Sequence, residues 1–270
     1  VAEPLDADDL RALGDELYAA LRARTTVAPL TTRRPGITTV DAYHVSRRLL
    51  DRRLADGERV IGKKIGVTSL AVQTMLDVHT PDFGWLTDRM QCADAGAGGE
   101  VPVGAQLIQP RAEAELAFCL DRQLRGPGIT PGDVVAATAW IAPCFEIVDS
   151  RIEGWKIRYQ DTVADNASSG LFVLGGLEAR ARPGAFDFAR CEVAVEKNGR
   201  PLSRGRGAEA MGSPLVCVAW LANTMGELGV ALEPGEIVLS GSLVPLEPVR
   251  PGDVMRAVVP GLGGVTARFT

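Results

Sequence analysis

Two histidines, His44 and His79, are all the chain has, and they stand too far apart in sequence to suggest a histidine-built zinc site. Cysteine is also sparse. Cys92, Cys119, Cys144, Cys191 and Cys217 are odd in number and form no C-x-x-C pair, which suits reduced thiols in a cytoplasmic protein and not a disulfide framework. No stretch is apolar for long enough to cross a bilayer, since the longest, Val134–Phe145, is little over half of the ~20 residues required. Val1–Asp9 is acidic and lacks the basic and then apolar order of a secretory signal, so export is not expected. Positive charge is not in excess: a formal charge of -5 argues against a general nucleic-acid binder and leaves basic residues to act locally. Nucleotide and hydrolase fingerprints fail as well. Gly57–Lys64 has a lysine where a P-loop needs Ser or Thr, Gly261–Gly264 has too little chain after it for a helix, and no G-x-S-x-G elbow occurs.

What is present is an ordinary globular composition, 46% hydrophobic and 23% charged over 270 residues, enough for a substantial core. Leu10, Leu13, Leu17 and Leu21 recur three or four apart between Asp6 and Arg24 and predict one face of an amphipathic helix. Thr39 is the expected cap of a second helix running to Ala55, with Tyr43, Leu50 and Leu54 spaced for burial and Asp56-Gly57 as its stop. Beyond Gly57, short β-branched runs between Gly, Pro and Asp predict strands at Val60–Val67, Leu116–Leu120, Phe145–Val148, Cys191–Glu196, Ile237–Leu239, Val254–Val259 and Val265–Phe269. Two more helices interrupt them, one opened by Thr130-Pro-Gly-Asp133 and one by Ser213-Pro214 that ends near Gly229. The run of mostly small residues at 93–99 predicts a loop and the best internal boundary. It divides 1–92, a helical region with the first strand, from a β-rich body at 93–270.

The segment Pro110–Leu120 alternates so that Glu113, Glu115, Ala117 and Cys119 share one strand face, with Leu116, Phe118 and Leu120 opposite. On a solvated sheet such a pair needs no explanation. Inside a sheet, two carboxylates side by side repel unless a cation lies between them or one is protonated. A third acid is required to hold a hard ion; Glu146, in the apolar run Pro143–Val148, is the natural one, and Asp149 is the alternative. Oxygen ligands favour Mg²⁺ or Mn²⁺ over zinc.

These residues sit in a longer pattern. Val60-Ile-Gly-Lys-Lys-Ile-Gly-Val-Thr-Ser69, Pro81-Asp-Phe-Gly84, Gln109-Pro-Arg-Ala-Glu-Ala-Glu115, Asp149-Ser-Arg-Ile152, Asp161-Thr-Val-Ala-Asp-Asn-Ala-Ser-Ser-Gly170 and Leu239-Ser-Gly-Ser-Leu243 resemble the 2-oxopent-4-enoate (2-hydroxypenta-2,4-dienoate) hydratases of aromatic meta-cleavage pathways. Those belong to the fumarylacetoacetate hydrolase superfamily. The resemblance implies an α+β fold, a mixed β-roll or sandwich with a small N-terminal helical region, and a homo-oligomer. It implies Mg²⁺ or Mn²⁺ on Glu113, Glu115 and Glu146. Lys64 would act beside the substrate's carboxylate and C2 oxygen. Strand alternation sends its neighbour Lys63 the other way. Asp82 is the candidate acid or base near C4 and C5, or otherwise an ordinary turn residue. Asn166, Ser168, Ser240 and Ser242 are substrate hydrogen-bond candidates, and Asp165 would orient its neighbours.

Two rival readings carry the same motifs. The related 4-oxalocrotonate decarboxylases share the glutamates and the lysine but typically lack an acid where Asp82 stands, and fold cannot separate the two. A noncatalytic scaffold subunit of a hydratase–decarboxylase complex would have no need of the intact acidic set. The hydratase itself is expected to associate with such a decarboxylase. His79 is read as an exposed loop residue.

Overall fold

The computed structural model describes residues 5–93, 99–184 and 186–270, so most of the predicted small-residue loop at 93–99 lies outside the described residues. In chain order the elements are α1 (Ala7–Ala23), α2 (Leu30–Arg33), α3 (Thr39–Ala55), β1 (Val60–Gly66), α4 (Leu70–Leu76), β2 (Asp82–Thr87), β3 (Gly99–Val101), α5 (Val103–Gln106), β4 (Arg111–Leu120) and α6 (Pro131–Ala137). Then come β5 (Thr138–Val148), α7 (Tyr159–Ala164), β6 (Ser169–Leu174), β7 (Glu192–Lys197), β8 (Arg200–Arg206), α8 (Pro214–Glu227), β9 (Ile237–Leu239), β10 (Glu247–Pro248), β11 (Val254–Val259) and β12 (Gly263–Phe269).

The N-terminal helices form where the periodicity puts them. Asp6 caps α1 by accepting from the Asp8 and Asp9 amides, and Leu13, Leu17 and Ala20 are buried. The cap of α3 is Thr38, one residue earlier than expected. Its hydroxyl accepts from Asp41 N at 3.1 Å while the Asp41 carboxylate accepts from Thr38 N at 2.9 Å, leaving Thr39 inside the first turn. Leu13, Leu17, Val45 and Leu49 pack with Tyr159 and Val163 of α7, so this helical lobe braces a helix that reaches the site described below.

Among the described residues the strands make two sheets. One has seven strands in the order β2-β1-β9-β4-β5-β6 with β10 also on β4; the other has five, β3-β12-β11-β7-β8. The β1–β9 and β12–β3 pairs are parallel and the rest antiparallel. Register sorts the faces of β4 and β5. Leu116, Phe118, Ile141, Phe145 and Ile147 join the main core with Val193, Val195, Met255 and Val265 of the second sheet. The opposite face carries the glutamates beside a small apolar cluster of Ala117, Cys144, Phe172 and Leu239.

Strands β1 and β2 belong to the same sheet as β4 and β5, so the sheet is continuous across the expected 92/93 division. Two elements differ from expectation. The strand expected at Phe145–Val148 begins already at Thr138, where the helix opened by Thr130 has ended, because Thr138, Trp140 and Ile141 prefer the pleated surface. Asp82, readable as a turn residue, starts strand β2. No helix among the described residues is long and apolar enough to cross a membrane.

Candidate active site

Antiparallel pairing of β4 with β5 sets Glu113 directly opposite Glu146, and Glu115 opposite Cys144 one repeat along. All three glutamates therefore project from one face. They are buried, at 8%, 1% and 1% exposure, and one carboxylate oxygen from each lies within 4.8 Å of the others. Glu115 Oε2 accepts from Gly241 N at 2.8 Å. Among the described residues Glu115 Oε1 and Glu146 Oε2 are buried with no hydrogen-bond partner, and Glu146 Oε1 has only the Lys64 ammonium near it.

Such burial is costly for anions. Burial raises the Glu115 pKa well above the usual carboxylate range, and repulsion from Glu146 and Glu113 adds to it. Burial likewise lifts Glu146 to about 7 against the pull of Lys64, and raises Glu113 against the pull of Lys64 and the Ser242 hydroxyl. One ammonium cannot neutralise three carboxylates. The orphaned oxygens, the all-oxygen donor set and the short mutual distances fit a hard divalent ion, which would satisfy these atoms at once. Asp149, the alternative third acid, is engaged elsewhere: its carboxylate accepts from the Ile108 and Gln109 amides.

Lys64 comes to the same place from β1, three strands of the sheet away from β5. Its Nζ lies 3.1 Å from Glu146 Oε1 and donates to Ala167 O at 3.0 Å. Burial pulls the ammonium down, but Glu146, Asp82, Glu113 and Glu115 together outweigh it and raise its pKa. Lys63 points to the other face, where it pairs with Glu236 and lies 5.5 Å from the Trp85 ring.

Asp82 is paired with Gly66 across β1 and β2, and Gly66 is what makes room: a Cβ there would sit 2.3 Å from Asp82 Oδ1 and 3.3 Å from Lys64 Nζ. Asp82 Oδ2 accepts from Thr162 Oγ1 at 3.2 Å, and Oδ1 is buried without a partner among the described residues. Burial raises the Asp82 pKa, opposed by Lys64 and Thr162. A carboxyl whose pKa is raised keeps its proton more readily than an exposed one and is suited to passing it on.

The turn that receives Lys64 is unusual. Asn166, Ala167 and Ser168 all have positive φ, 55°, 52° and 52°, a conformation costing L-residues about 1 kcal/mol or more each. A buried network holds it. Arg151 Nε donates to Asp165 Oδ1 at 2.6 Å, and its guanidinium also donates to Asp165 O and Ser169 O. Burial, opposed by Arg151, pushes Asp165 to about 6.

The serine and asparagine candidates fare differently. Asn166 Oδ1 accepts from Trp85 N at 2.8 Å and its Nδ2 donates to Trp85 O at 3.0 Å, so the backbone of β2 fixes its amide and takes one of its two N–H donors. Ser240 is fully buried, and its hydroxyl has no partner among the described residues. Ser242 bonds Val244 O. Ser168 lies 3.4 Å from Thr162. Thr162, Tyr43 and Tyr159 were not read from sequence as residues of the site, Tyr43 only as a buried helix position, although Thr162 lies inside one of the motif stretches. Tyr159 donates to Pro81 O at 2.7 Å and Tyr43 stacks on Phe83 at 4.4 Å, so both brace the entry to β2. His79 is exposed.

Comparison with known proteins shows the family. The fumarylacetoacetate (FAA) hydrolase C-terminal family profile matches residues 77–270. A 2-hydroxyhexa-2,4-dienoate hydratase of Comamonas testosteroni is 52% identical over 265 residues, covering 98% of this chain and 99% of the relative. A 2-hydroxypent-2,4-dienoate hydratase of Pseudomonas putida is 59% identical over 227 residues, 84% of this chain and 100% of the relative. In structure the chain is similar to 4-oxalocrotonate decarboxylase from Pseudomonas putida G7 complexed with magnesium and adipate, with a TM-score of 0.93 at 36% identity over 99% of this chain and 100% of that one. With a matching profile over most of its length and hydratase relatives above half identity, the chain belongs to the fumarylacetoacetate hydrolase family, among its 2-hydroxydienoate hydratases.

Proposed function

We propose that this protein is a metal-dependent hydro-lyase that adds water to 2-hydroxypenta-2,4-dienoate, the enol form of 2-oxopent-4-enoate, giving 4-hydroxy-2-oxopentanoate in the meta-cleavage catabolism of aromatic compounds. The observation that carries the reading is the meeting of three buried carboxylates, whose oxygens are only partly satisfied among the described residues, with one buried ammonium, and beside them a separately held acid, Asp82. Hydratase relatives at 52% and 59% identity support it.

Glu113, Glu115 and Glu146 would hold Mg²⁺ or Mn²⁺. When bound, such an ion supplies Lewis-acid charge next to the C1 carboxylate and C2 oxygen of a 2-oxo acid. Lys64 adds a fixed positive charge at the same end, which favours negative charge on the C2 oxygen as it develops. Its burial makes that charge count for more than it would in water. Asp82 serves the carbon end through Oδ1: it gives a proton to C5 as the dienol becomes the enone, and it aims the water that adds at C4. Protonation at C3 completes the addition. Ser168, Ser240 and Ser242 would hydrogen-bond the substrate, a reading supported for Ser240 by a hydroxyl that has no other partner among the described residues.

The second reading is decarboxylation of 2-oxohex-3-enedioate, favoured by the likeness to the decarboxylase. Shared fold does not decide chemistry, and 36% identity to that protein stands against 52% and 59% to hydratases. A spectrophotometer separates them. Purified protein with Mg²⁺ bleaches the dienol absorbance and yields 4-hydroxy-2-oxopentanoate; unhydrated ketone alone, or carbon dioxide from the enedioate, refutes the assignment. We also place the protein in the cytoplasm, on its five unpaired thiols, and as a homo-oligomer, on exposed Leu70, Met75 and Leu177. Light scattering tests the assembly, and co-purification tests a complex with 4-oxalocrotonate decarboxylase.

A further inference from the structure

Asp82 is joined to the left-handed turn by a side chain with no role so far. Thr162 stands on α7, which is fixed from two sides: Tyr159 donates to Pro81 O at 2.7 Å, and Asp161 accepts from Thr31 N at 3.0 Å and from Thr31 Oγ1 at 2.7 Å. Its Oγ1 lies 3.2 Å from Asp82 Oδ2 and 3.4 Å from Ser168 Oγ. Thr162, Asp82 and Ser168 are 5%, 1% and 3% exposed, so bulk water does not reach the row. A β-branched side chain is stiff at χ1, which keeps the hydroxyl between its two neighbours. A hydroxyl has one proton to give. With that proton directed at Asp82, Thr162 must accept from Ser168, and the row acquires a direction: Ser168 to Thr162 to Asp82. These contacts are long for hydrogen bonds between oxygens, as catalytic contacts often are before substrate tightens them. The far oxygen of the carboxyl, Asp82 Oδ1, has no partner among the described residues.

We propose that Thr162 is a proton-relay residue that recharges Asp82 through Ser168 during turnover, so that the buried acid needs no bulk water. The inference rests on the hydratase reading, in which Asp82 is the acid. An O–H bond of substrate or water breaks at the Ser168 end and its proton bonds to Ser168 Oγ. The proton of Ser168 passes to Thr162 Oγ1, and that of Thr162 passes to the Asp82 carboxylate. Three O–H bonds break and three form, each electron pair staying on the oxygen that loses the proton. The donor is left an anion and Asp82 a neutral acid. Asp82 then loses its proton to the substrate carbon, where a C–H bond forms from the enolate π pair and the carboxylate is restored. One proton has moved from oxygen to carbon with no other reagent.

The relay is tested with T162V, T162S and S168A in the Mg²⁺-loaded protein. T162V is expected to lower kcat on 2-hydroxypenta-2,4-dienoate by about 10- to 100-fold, with KM and Mg²⁺ affinity within about twofold of wild type. T162S, which keeps the hydroxyl, restores most of the rate. A T162V enzyme as fast as wild type, a T162S enzyme as slow as T162V, or a parallel loss of kcat and Mg²⁺ affinity overturns the relay. If T162V does not fold, S168A decides: a comparable loss of kcat supports the relay, and an unchanged kcat overturns it. Deuterium exchange at C5 of 2-oxopent-3-enoate in D₂O, followed by NMR, needs only dienolate formation and return. Should wild-type protein fail to hydrate the dienoate, the hydratase reading falls, and the relay is judged by this exchange alone. T162V slowed with T162S restored supports it; equal rates, or no exchange in wild type, overturn it.

Discussion

Glu113, Glu115 and Glu146 stand where their mutual repulsion opposes folding, Lys64 offsets only part of it, and a cation among them would relieve the rest. Two consequences follow at single residues. E115Q removes a buried anion, so the chelated protein gains on the order of 1 kcal/mol of stability while Mn²⁺ affinity and turnover each fall by about 100-fold or more. Urea unfolding with EDTA and calorimetric Mn²⁺ titration measure both; unchanged catalysis after exhaustive chelation contradicts the role. The second consequence is pH dependence. Burial lifts Glu146 from 4.5 to about 7 and Glu115 well above its ordinary value, so the folded state binds these protons more tightly than the unfolded state. Their contribution is therefore whole below the ordinary carboxylate pKa and is lost as pH rises through about 7. An ion that replaces the protons removes that loss. The gap in melting temperature between Mn²⁺-loaded and chelated protein accordingly widens from about pH 5 to about pH 8, and a constant gap would count against the cluster.

At the scale of elements, the left-handed turn at Asn166–Ser168 does the positioning. Strand β2 is an edge of its sheet, and the Asn166 amide gives Trp85 the donor and acceptor that a further strand would. Gly84 permits the approach, since a Cβ there would lie 2.5 Å from Asn166 O. N166A leaves both backbone groups of Trp85 unmet and is expected to cost about 2–4 kcal/mol in urea unfolding, and to slow turnover because the carbonyl of Ala167 holds Lys64. A loss below about 0.5 kcal/mol would show that water replaces the amide at no cost. The same element shows where sequence reasoning stops. Alternation alone puts Glu113 and Glu115 on one face, because the side-chain period of a strand is local. That Glu146 stands opposite Glu113 is a matter of register between β4 and β5, which tertiary packing decides. Strand β2 was illegible because Asp82 and Gly84 are poor strand formers; they are tolerated there for the acid and for close contact. Asn166 was legible only as a polar candidate near the substrate, because polarity does not reveal that its amide pairs with Trp85.

Over the whole molecule, helices α1 and α3 were readable from leucine spacing, and the β-rich character of the remainder from its punctuated β-branched runs. Their mutual arrangement was not, since no local pattern states that β1 lies parallel to β9 or that α3 packs on α7. That arrangement brings Lys64, Asp82 and the glutamates together from separate stretches of chain. Ion binding to the folded state alone then stabilises the entire fold: Mn²⁺ at a hundred times its dissociation constant adds about 2.7 kcal/mol to unfolding. The most direct measurement is anomalous diffraction at the manganese edge from crystals grown with Mn²⁺ and oxalate. We predict one strong peak enclosed by Glu113, Glu115 and Glu146, with oxalate on its open side towards Lys64. Manganese bound elsewhere, with those three side chains turned apart, would contradict it.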